Sequence, residues 1–409
     1  MLKRISVTQL TLGMHLKEFC GSWMEHPFWR TSFVLHDPKD IASILASSIK
    51  EVWIDSSKGL DVAGDVVALS ETDSALQVEA ELQLMAETER RVAPVSMSEE
   101  LERATMICAR SKQAVEDMFN EARMGQSINT GGAQRMVEEI SDSIMRNPGA
   151  LISLARLKTA DDYTYMHSVA VCALMIGLAN QLKLDPAETR LLGVAGLLHD
   201  LGKAAMPMEV LNKPGKLTPA EFNIIKSHPQ QGHDMLLSGE NVHAVTLDVV
   251  LHHHEKTDGS GYPKGLTGQQ ISLHAKMGAV CDVYDAITSN RPYKSGWDPA
   301  ESLRKMAEWT QGHFEPQVFQ AFVKSLGIYP IGSLVRLNTG RIGIVTGQTA
   351  QSLLKPVVNV FYSGTAGMRI MPVIVDLSKP GCTEKIIARE DPDKWRFPDL
   401  NELWSGIPS

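Results

Sequence analysis

A histidine–aspartate doublet, His199-Asp200, is the part of this chain best suited to chemistry. His167 precedes the doublet, and His228, a run of three histidines at 252–254 and Asp282 follow it. Imidazoles and carboxylates bind divalent metal ions, and two such ions about 4 Å apart can activate water and hold a phosphodiester. A single histidine is more often a core or surface residue. With His252 set aside as an extra residue of the run, however, five of the thirteen histidines fall in this pattern, and the set predicts a metal site.

Four motifs follow one another in a fixed order along this region. They are HDLGK at 199–203, HHE at 253–255, DGSGYP at 258–263, and DVYDA at 282–286 with RPY at 291–293. Together they resemble the HD-GYP family of bacterial cyclic-dinucleotide phosphodiesterases, a branch of the HD metal-hydrolase superfamily. The resemblance covers residues 130–328. Segments 22–28 and 52–55 are similar to the small N-terminal domain that often precedes an HD-GYP domain.

The resemblance implies a binuclear metal centre. Its ligands would be His167, His199, Asp200, His228, His253, His254 and Asp282. Some family members have a glutamate one turn before the first ligand histidine, where it helps to bind a third metal, but this chain has Tyr163 there. We therefore expect two divalent ions, iron or manganese. We also expect Glu255 to orient one of the ligand histidines.

The resemblance also implies a set of residues that contact the substrate. They are Lys203, Tyr262, Asp285, Arg291 and Lys294. Lys203 and Asp200 are the predicted catalytic residues, because Lys203 follows Asp200 by one turn and would reach the scissile phosphate. Arg291 and Lys294 would pair with phosphate oxygens. The glycines of the DGSGYP segment allow a tight loop, which its proline stiffens.

The predicted reaction is phosphodiester hydrolysis, in which a metal-activated hydroxide attacks phosphorus. Cyclic di-GMP is the expected substrate and pGpG the first product, with a further cut to GMP left open. The hybrid 3′,3′-cyclic GMP-AMP is an alternative substrate, because some family members prefer it. Two other classes of protein stay open: a non-catalytic cyclic-dinucleotide-binding signalling protein, and a nucleotide hydrolase of the wider HD group.

Rigid elements must hold these side chains in place. The apolar residues recur with a helical period from Gly131 to Leu326, which predicts six helices that could carry them. These helices are expected at 162–181, 185–201, 218–238, 241–254, 273–288 and 299–312. Asp200 and Asp282 both follow apolar runs, and burying a carboxylate costs several kcal/mol unless it is paired or bound to metal.

The predicted fold is multidomain, with an all-α HD-type helical bundle as its core. Residues 1–70 are expected to form a small α/β or α+β module, with a helix over 40–48. Residues 71–130 would form an acidic linker and a connecting helix that Ser98 caps. The HD-GYP catalytic domain would occupy 131–328. The apolar period changes to two after Pro330, which predicts a β-rich C-terminal appendage at 329–409.

Composition narrows the classes of partner and compartment. The 409-residue chain has a formal net charge of −8, which argues against binding a DNA or RNA polymer. The longest apolar run, 169–179, is about half of what a membrane span needs. Five scattered cysteines predict reduced thiols and a cytoplasmic location. A homodimer or a signalling-protein partner is left open.

Overall fold

The computed structural model describes most of the chain. The described residues are 2–20, 32–47, 49–62, 69–70, 95–126, 130–156, 163–213, 215–239, 242–289, 296–310, 312–349 and 352–406. They divide into two compact units, the smaller formed by Met1–Leu82 with Arg304–Gln311 and the larger by the rest. No helix within the described ranges is long and apolar enough to cross a membrane. All five cysteines are free thiols.

Within the described residues up to Ser70, the smaller unit forms an antiparallel sheet and one α-helix, in agreement with the predicted N-terminal module. Its elements are β1 (Leu2–Ser6), β2 (His15–Cys20), β3 (Phe33–Val34), α1 (Pro38–Leu45), β4 (Glu51–Asp55) and β5 (Leu69–Ser70). The strand order is β3-β2-β4-β1-β5. Helix α1 begins two residues earlier than predicted, because the Asp37 side chain accepts a bond from the amide of Lys39 and Pro38 fits the first helical position.

The larger unit has a helical core, as predicted. Its helices are α2 (Met97–Arg123), α3 (Thr130–Arg146), α4 (Pro148–Ala155), α5 (Tyr163–Gln181), α6 (Pro186–Leu198), α7 (Met208–Leu211), α8 (Pro219–Lys226), α9 (His228–Leu237), α10 (Ala244–His252), α11 (Leu273–Thr288), α12 (Pro299–Trp309) and α13 (Pro316–Leu326). A 3₁₀ turn, Leu201–Ala205, follows α6. The last residues of α12 are counted with the smaller unit.

Helix α2 differs from the predicted connecting helix in its cap and in its packing. Ser96 caps the helix in a reciprocal capping box with Glu99, whereas the sequence pattern predicts the cap at Ser98. One face of the helix is buried in the core of the larger unit, through residues such as Ile107, Val115 and Phe119. The helix therefore packs as part of the helical core.

The predicted helix over 218–238 is two helices in the structure. Helix α8 ends at Lys226, and Ser227 separates it from α9, which begins at His228. Pro229 occupies the first turn of α9. A proline has no main-chain N–H, and in the first turn of a helix that N–H would have no partner within the helix. The break places His228 at a helix start with its side chain buried.

A second sheet follows the helices in the larger unit. Its strands are β6 (Leu334–Leu337), β7 (Arg341–Gly347), β8 (Val357–Ser363), β9 (Met368–Asp376) and β10 (Ile386–Arg389). They are antiparallel, in the order β10-β6-β7-β8-β9. Two short helices, α14 (Pro392–Trp395) and α15 (Leu400–Ser405), come after the sheet. Apolar side chains of the sheet, among them Leu334, Ile344 and Phe361, belong to the same buried cluster as the helices.

Candidate metal centre

The structure brings all seven predicted metal ligands together. They form two groups: Asp200, His228, His253 and His254 in one, and His167, His199 and Asp282 in the other. Within each group, one ligand atom from every residue lies within 4.8 Å of the others. The side chains come from α5, the end of α6, the start of α9, the end of α10 and the middle of α11. Their assignment as ligands stays a prediction.

Three of the histidines are held by main-chain carbonyls through the nitrogen that faces away from the centre. The contacts join Nδ1 of His199 to Gly196 O at 2.8 Å, of His228 to Ile225 O at 2.7 Å and of His253 to Val250 O at 3.0 Å. A carbonyl only accepts, so each Nδ1 must carry the proton. The neutral rings then present an Nε2 lone pair to the centre, as a metal ligand does.

The Nε2 atoms face one another in pairs. Nε2 of His167 lies 3.2 Å from Nε2 of His199, and Nε2 of His228 lies 3.2 Å from Nε2 of His253. Two lone pairs at this distance repel unless a proton or a cation lies between them. The donor set therefore fits divalent cations in both groups.

The carboxylate of Asp200 reaches both pairs. Its Oδ1 lies 3.1 Å from Nε2 of His228 and 3.9 Å from that of His253. Its Oδ2 lies 3.4 Å from Nε2 of His199 and 3.6 Å from that of His167. One carboxylate can thus serve two neighbouring cations.

The protonation states of Asp200, Asp282 and His253 suit metal binding, whereas at His167 burial is outweighed by the carboxylates of Asp282 and Asp285, which raise the pKa of that imidazole. Burial raises the pKa of Asp200, but the charge of Lys203 and the nearby imidazoles outweigh it and hold that pKa well below its ordinary value. Burial is outweighed in the same way at Asp282, whose pKa is held low by its contact with His167 and by the nearby imidazoles of His254 and His199. Burial, with the neighbouring imidazoles, lowers the pKa of His253 to about 3. Ionised carboxylates and a neutral imidazole are the forms that bind metal.

Asp285 lies behind the centre, whereas the family resemblance predicts it among the substrate contacts. Its Oδ2 is 2.6 Å from Nδ1 of His167, and its Oδ1 accepts a 3.2 Å bond from the hydroxyl of Ser289. The side chain is buried. This position fits a residue that orients His167. The pairing could not be predicted, because the two residues are 118 positions apart in the sequence.

Glu255 also differs from its predicted role of orienting a ligand histidine. Its carboxylate accepts bonds from the amides of Lys264 at 2.7 Å and Leu266 at 2.8 Å. It therefore fixes the end of the DGSGYP loop. Gly261 lies in the same loop, where an added Cβ would come within 2.4 Å of the amide nitrogen of Lys256. Only glycine allows so close an approach of two main-chain segments.

Of the four remaining residues that were predicted to contact the substrate, two lie within the described residues. Lys203 lies beside the centre, with Nζ 2.5 Å from Oδ2 of Asp200. The ring of Tyr262 stacks on that of His254, with ring centres 4.6 Å apart. Arg291 and Lys294 lie outside the described residues. Sequence reasoning missed Lys226, whose Nζ lies 5.2 Å from the Tyr262 ring centre.

Comparison with known proteins identifies the family. Residues 2–133 match a family model described as a domain of unknown function (DUF3391), and residues 140–318 match the HD domain model. A cyclic di-GMP phosphodiesterase of Pseudomonas aeruginosa is 53% identical over 408 residues, covering 100% of this chain and 96% of the relative. The chain belongs to the HD-GYP family. Its family is therefore the one that the motifs predicted.

Two further relatives of this HD-GYP chain match its catalytic half. A cyclic di-GMP phosphodiesterase response regulator of Xanthomonas campestris is 38% identical over 193 residues, covering 47% of the chain and 51% of the relative. A 3′3′-cGAMP-specific phosphodiesterase of Vibrio cholerae is 36% identical over 166 residues, covering 40% of the chain and 38% of the relative. The HD-GYP chain thus has relatives named for each of the two cyclic dinucleotides.

Proposed function

We propose that this chain hydrolyses the phosphodiester bonds of cyclic di-GMP. Its full-length relative in Pseudomonas aeruginosa is named as a cyclic di-GMP phosphodiesterase, which supports this substrate. The single observation that carries the proposal is the position of Asp200, whose two oxygens face two separate pairs of imidazole nitrogens. A carboxylate between two nitrogen pairs suits a two-metal site of the kind that cleaves phosphodiesters.

The proposed cofactors are two divalent ions, iron or manganese. His167, His199 and Asp282 would hold one ion, and the group of His228, His253 and His254 would hold the other, with Asp200 shared between them. Mixed nitrogen and oxygen donors suit both metals. When bound, such ions would polarise the phosphoryl oxygens and lower the pKa of water.

The protein's own residues would bind and orient the reacting groups. We propose that Nζ of Lys203 donates to an oxygen of the scissile phosphate, where negative charge builds up during the reaction. Asp285 would keep the proton of His167 on Nδ1 and so fix that ring. Tyr262, Arg291 and Lys294 are proposed to contact the substrate. Hydrolysis transfers the water oxygen to phosphorus and a proton to the 3′ oxygen, which gives pGpG.

The second candidate substrate is 3′,3′-cyclic GMP-AMP. The relative in Vibrio cholerae that is named as specific for this dinucleotide supports it. A non-catalytic binding protein is the alternative of another class. The retention of all seven clustered side chains weighs against it, because a protein that only binds the nucleotide has no need of them.

Turnover with defined metals tests the proposal. Protein loaded with manganese or, without oxygen, with ferrous iron is given cyclic di-GMP and 3′,3′-cyclic GMP-AMP in parallel, and pGpG and GMP are followed by chromatography. We expect pGpG from cyclic di-GMP at the higher kcat/KM. Bound but intact dinucleotide with both metals would instead support the binding protein.

A second His-Asp doublet in the same unit offers a matched control. The double variant His199→Ala/Asp200→Ala should abolish turnover and lower the metal content, with cooperative unfolding preserved. The control, His233→Ala/Asp234→Ala, removes the same side chains from α9, where His233 is half-buried and Asp234 is exposed. Within the described ranges, the side-chain hydrogen bonds of these two residues join them to each other and to Gln230. The control should keep wild-type turnover. Wild-type turnover of the first variant would show that the centre lies elsewhere.

Three expectations from the sequence also stay proposals. The first is that no DNA or RNA polymer binds this acidic chain. The second is a partnership with a second copy of the chain or with a signalling protein. The third is a cytoplasmic location, which the free thiols suit.

A further inference from the structure

The side chains of the candidate metal centre differ in their exposure to solvent. Five of the seven clustered side chains are at most 2% exposed. The exceptions are His254, which is 11% exposed, and Asp282, which is 9% exposed, and these two face each other across 3.7 Å between Nδ1 and Oδ2. Among the seven clustered side chains, His254 and Asp282 are therefore the ones most accessible to an external ligand.

Lys226 carries a positive charge beside the ring of Tyr262. It is the last residue of α8, and its Nζ lies 5.2 Å from the ring centre of Tyr262 and 4.9 Å from that of Phe222. Tyr262 in turn stacks on His254. The ammonium is thus held over two aromatic rings, and one of them, that of Tyr262, stacks on His254.

Within the described part of the chain, no carboxylate lies within ion-pair distance of Lys226. By contrast, the Lys203 ammonium beside the centre is paired with Asp200, and Lys213 near α8 is paired with Glu221. Aromatic faces hold an ammonium without neutralising it, so its N–H donors stay available to an anion. The half-buried Lys226 is therefore a cation positioned to receive negative charge from outside the protein.

We propose that Lys226 binds the second phosphate of the cyclic dinucleotide, the one that is not being cut. The proposal rests on the proposed function, because it takes the substrate to be a cyclic dinucleotide. Such a substrate has two phosphodiesters on opposite sides of its ring. When one is at the metal centre, the other extends beyond it and needs its own cation. Lys226 contacts Tyr262, which stacks on His254, one of the two more exposed side chains of the centre, so its ammonium lies where that phosphate would lie.

The test separates a contact with the second phosphate from an effect on the metal centre. In Lys226→Met the unbranched stem is kept against Phe222 and Tyr262 and the charge is lost, while Lys226→Arg keeps the charge. Each variant is assayed with cyclic di-GMP and with bis(p-nitrophenyl) phosphate, which has one phosphate only. Lys324→Met, on α13, removes an ammonium that has no described partner and serves as the control.

The expected result is a KM for cyclic di-GMP raised roughly tenfold or more in Lys226→Met, the size of a lost charge-assisted bond. Activity on bis(p-nitrophenyl) phosphate and the metal content should be unchanged, and Lys226→Arg should recover most of the affinity. An equal fall on both substrates would place the effect at the centre, through Tyr262, and would overturn the proposal. No change on either substrate would also overturn it.

Equilibrium binding keeps this test independent of turnover. Cyclic di-GMP is titrated into His199→Ala/Asp200→Ala, which should not cleave it, with and without Lys226→Met. A weaker Kd with the lysine removed supports the contact, and an equal Kd rejects it. If the wild-type protein binds cyclic di-GMP without cleaving it, the hydrolase assignment fails while Lys226 is still tested. If the wild-type protein neither binds nor cleaves cyclic di-GMP, both the proposed hydrolase function and the proposed contact of Lys226 are wrong.

Discussion

Asp285 is the residue whose role is best tested by a single substitution. Its carboxylate lies 2.6 Å from Nδ1 of His167 and sets which nitrogen of that ring carries the proton. In Asp285→Asn the amide can turn its NH₂ group toward the ring, so the fixed tautomer is lost. We expect metal affinity, measured by calorimetric titration, to fall roughly tenfold to a hundredfold.

Ser289→Ala is the matched control for Asp285→Asn. It removes only the 3.2 Å bond between the serine hydroxyl and the far oxygen of Asp285, so metal affinity should change much less. Metal binding by Asp285→Asn at wild-type strength would contradict the orienting role.

Residue types and motif order were enough to predict which seven side chains meet. They could not predict what lies behind those side chains. The three carbonyl partners of the histidines are main-chain atoms, which leave no signal in a sequence. Asp285 and Glu255 were expected near the site. The presence of an acidic residue in a sequence does not show whether its carboxylate contacts a substrate, an imidazole or a loop amide. Only the folded arrangement separates these roles.

At the scale of elements, the glycine of the HDLGK motif sets how closely two elements pack. A Cβ added to Gly202 would lie 1.9 Å from the carbonyl oxygen of His228 and 2.5 Å from the amide nitrogen of Gly232. The 3₁₀ turn that follows Asp200 therefore packs main chain against main chain on α9. Because α9 begins at His228, displacing it displaces a candidate ligand.

We expect Gly202→Ala to lower the free energy of unfolding by about 1–3 kcal/mol, the usual cost of overpacking, and to lower the metal content as well. Urea unfolding and elemental analysis measure the two effects. Gly132→Ala is the control, because a Cβ there would meet nothing within 4 Å and alanine favours a helix over glycine. It should leave stability unchanged or slightly higher. Equal behaviour of the two variants would contradict the close-packing argument.

A buried ion pair joins α2 to α3. The Glu100 carboxylate is fully buried and accepts bonds from Ser143 and Arg146. Burial raises the pKa of Glu100, but these bonds outweigh it and bring the pKa below its ordinary value of 4.5. A carboxylate with a lowered pKa stabilises the fold above its unfolded pKa, and that contribution is lost as the pH falls through the folded value.

At pH 7, Glu100→Gln should therefore lower the free energy of unfolding by about 1–3 kcal/mol, which is measured as unfolding at a lower urea concentration than wild type. The difference in the free energy of unfolding between wild type and Glu100→Gln should become smaller as the pH falls below about 4, because Glu100 is then protonated and uncharged in wild type as well. Glu139→Gln, whose carboxylate is half-exposed in a surface pair with Arg110, should change stability little at either pH. A Glu100→Gln deficit that stays constant from pH 7 to pH 3 would show that the ion pair is not its source.

The sequence predicted the helices that carry the candidate ligands, but it did not predict α3, α4, α7, α13, α14 or α15, and it predicted the strands less completely. The helix over 273–288 was placed at its observed ends, because Ser272 precedes a clear helical period. The break at Ser227 was missed, since the apolar spacing continues across it. Strands β9 and β10 were not predicted. Strand β9 has apolar residues on both faces and Pro372 within it, so it lacks the alternation that marks a strand with one buried face.

At the scale of the molecule, the second sheet shares a core with the helices of the larger unit. Leu334, Ile344 and Phe361 are buried in one cluster with residues of α2 through α6. A sheet that folded independently would have its own core. The shared core predicts that the sheet and the helices unfold together, so that a defect in one lowers the stability of the other.

Phe361→Ala on β8 tests this coupling. The ring is 1% exposed, so its loss should lower the free energy of unfolding by about 3–5 kcal/mol. Because the core is shared, the urea transition followed by helical circular dichroism and the one followed by metal release should have the same midpoint, at a lower urea concentration than in wild type. Met371→Ala, on the neighbouring strand β9 and 87% exposed, should shift neither. If Phe361→Ala leaves the helical transition and metal release at wild-type positions, the sheet is a separate folding unit. The catalytic helices would then have to be stable without it.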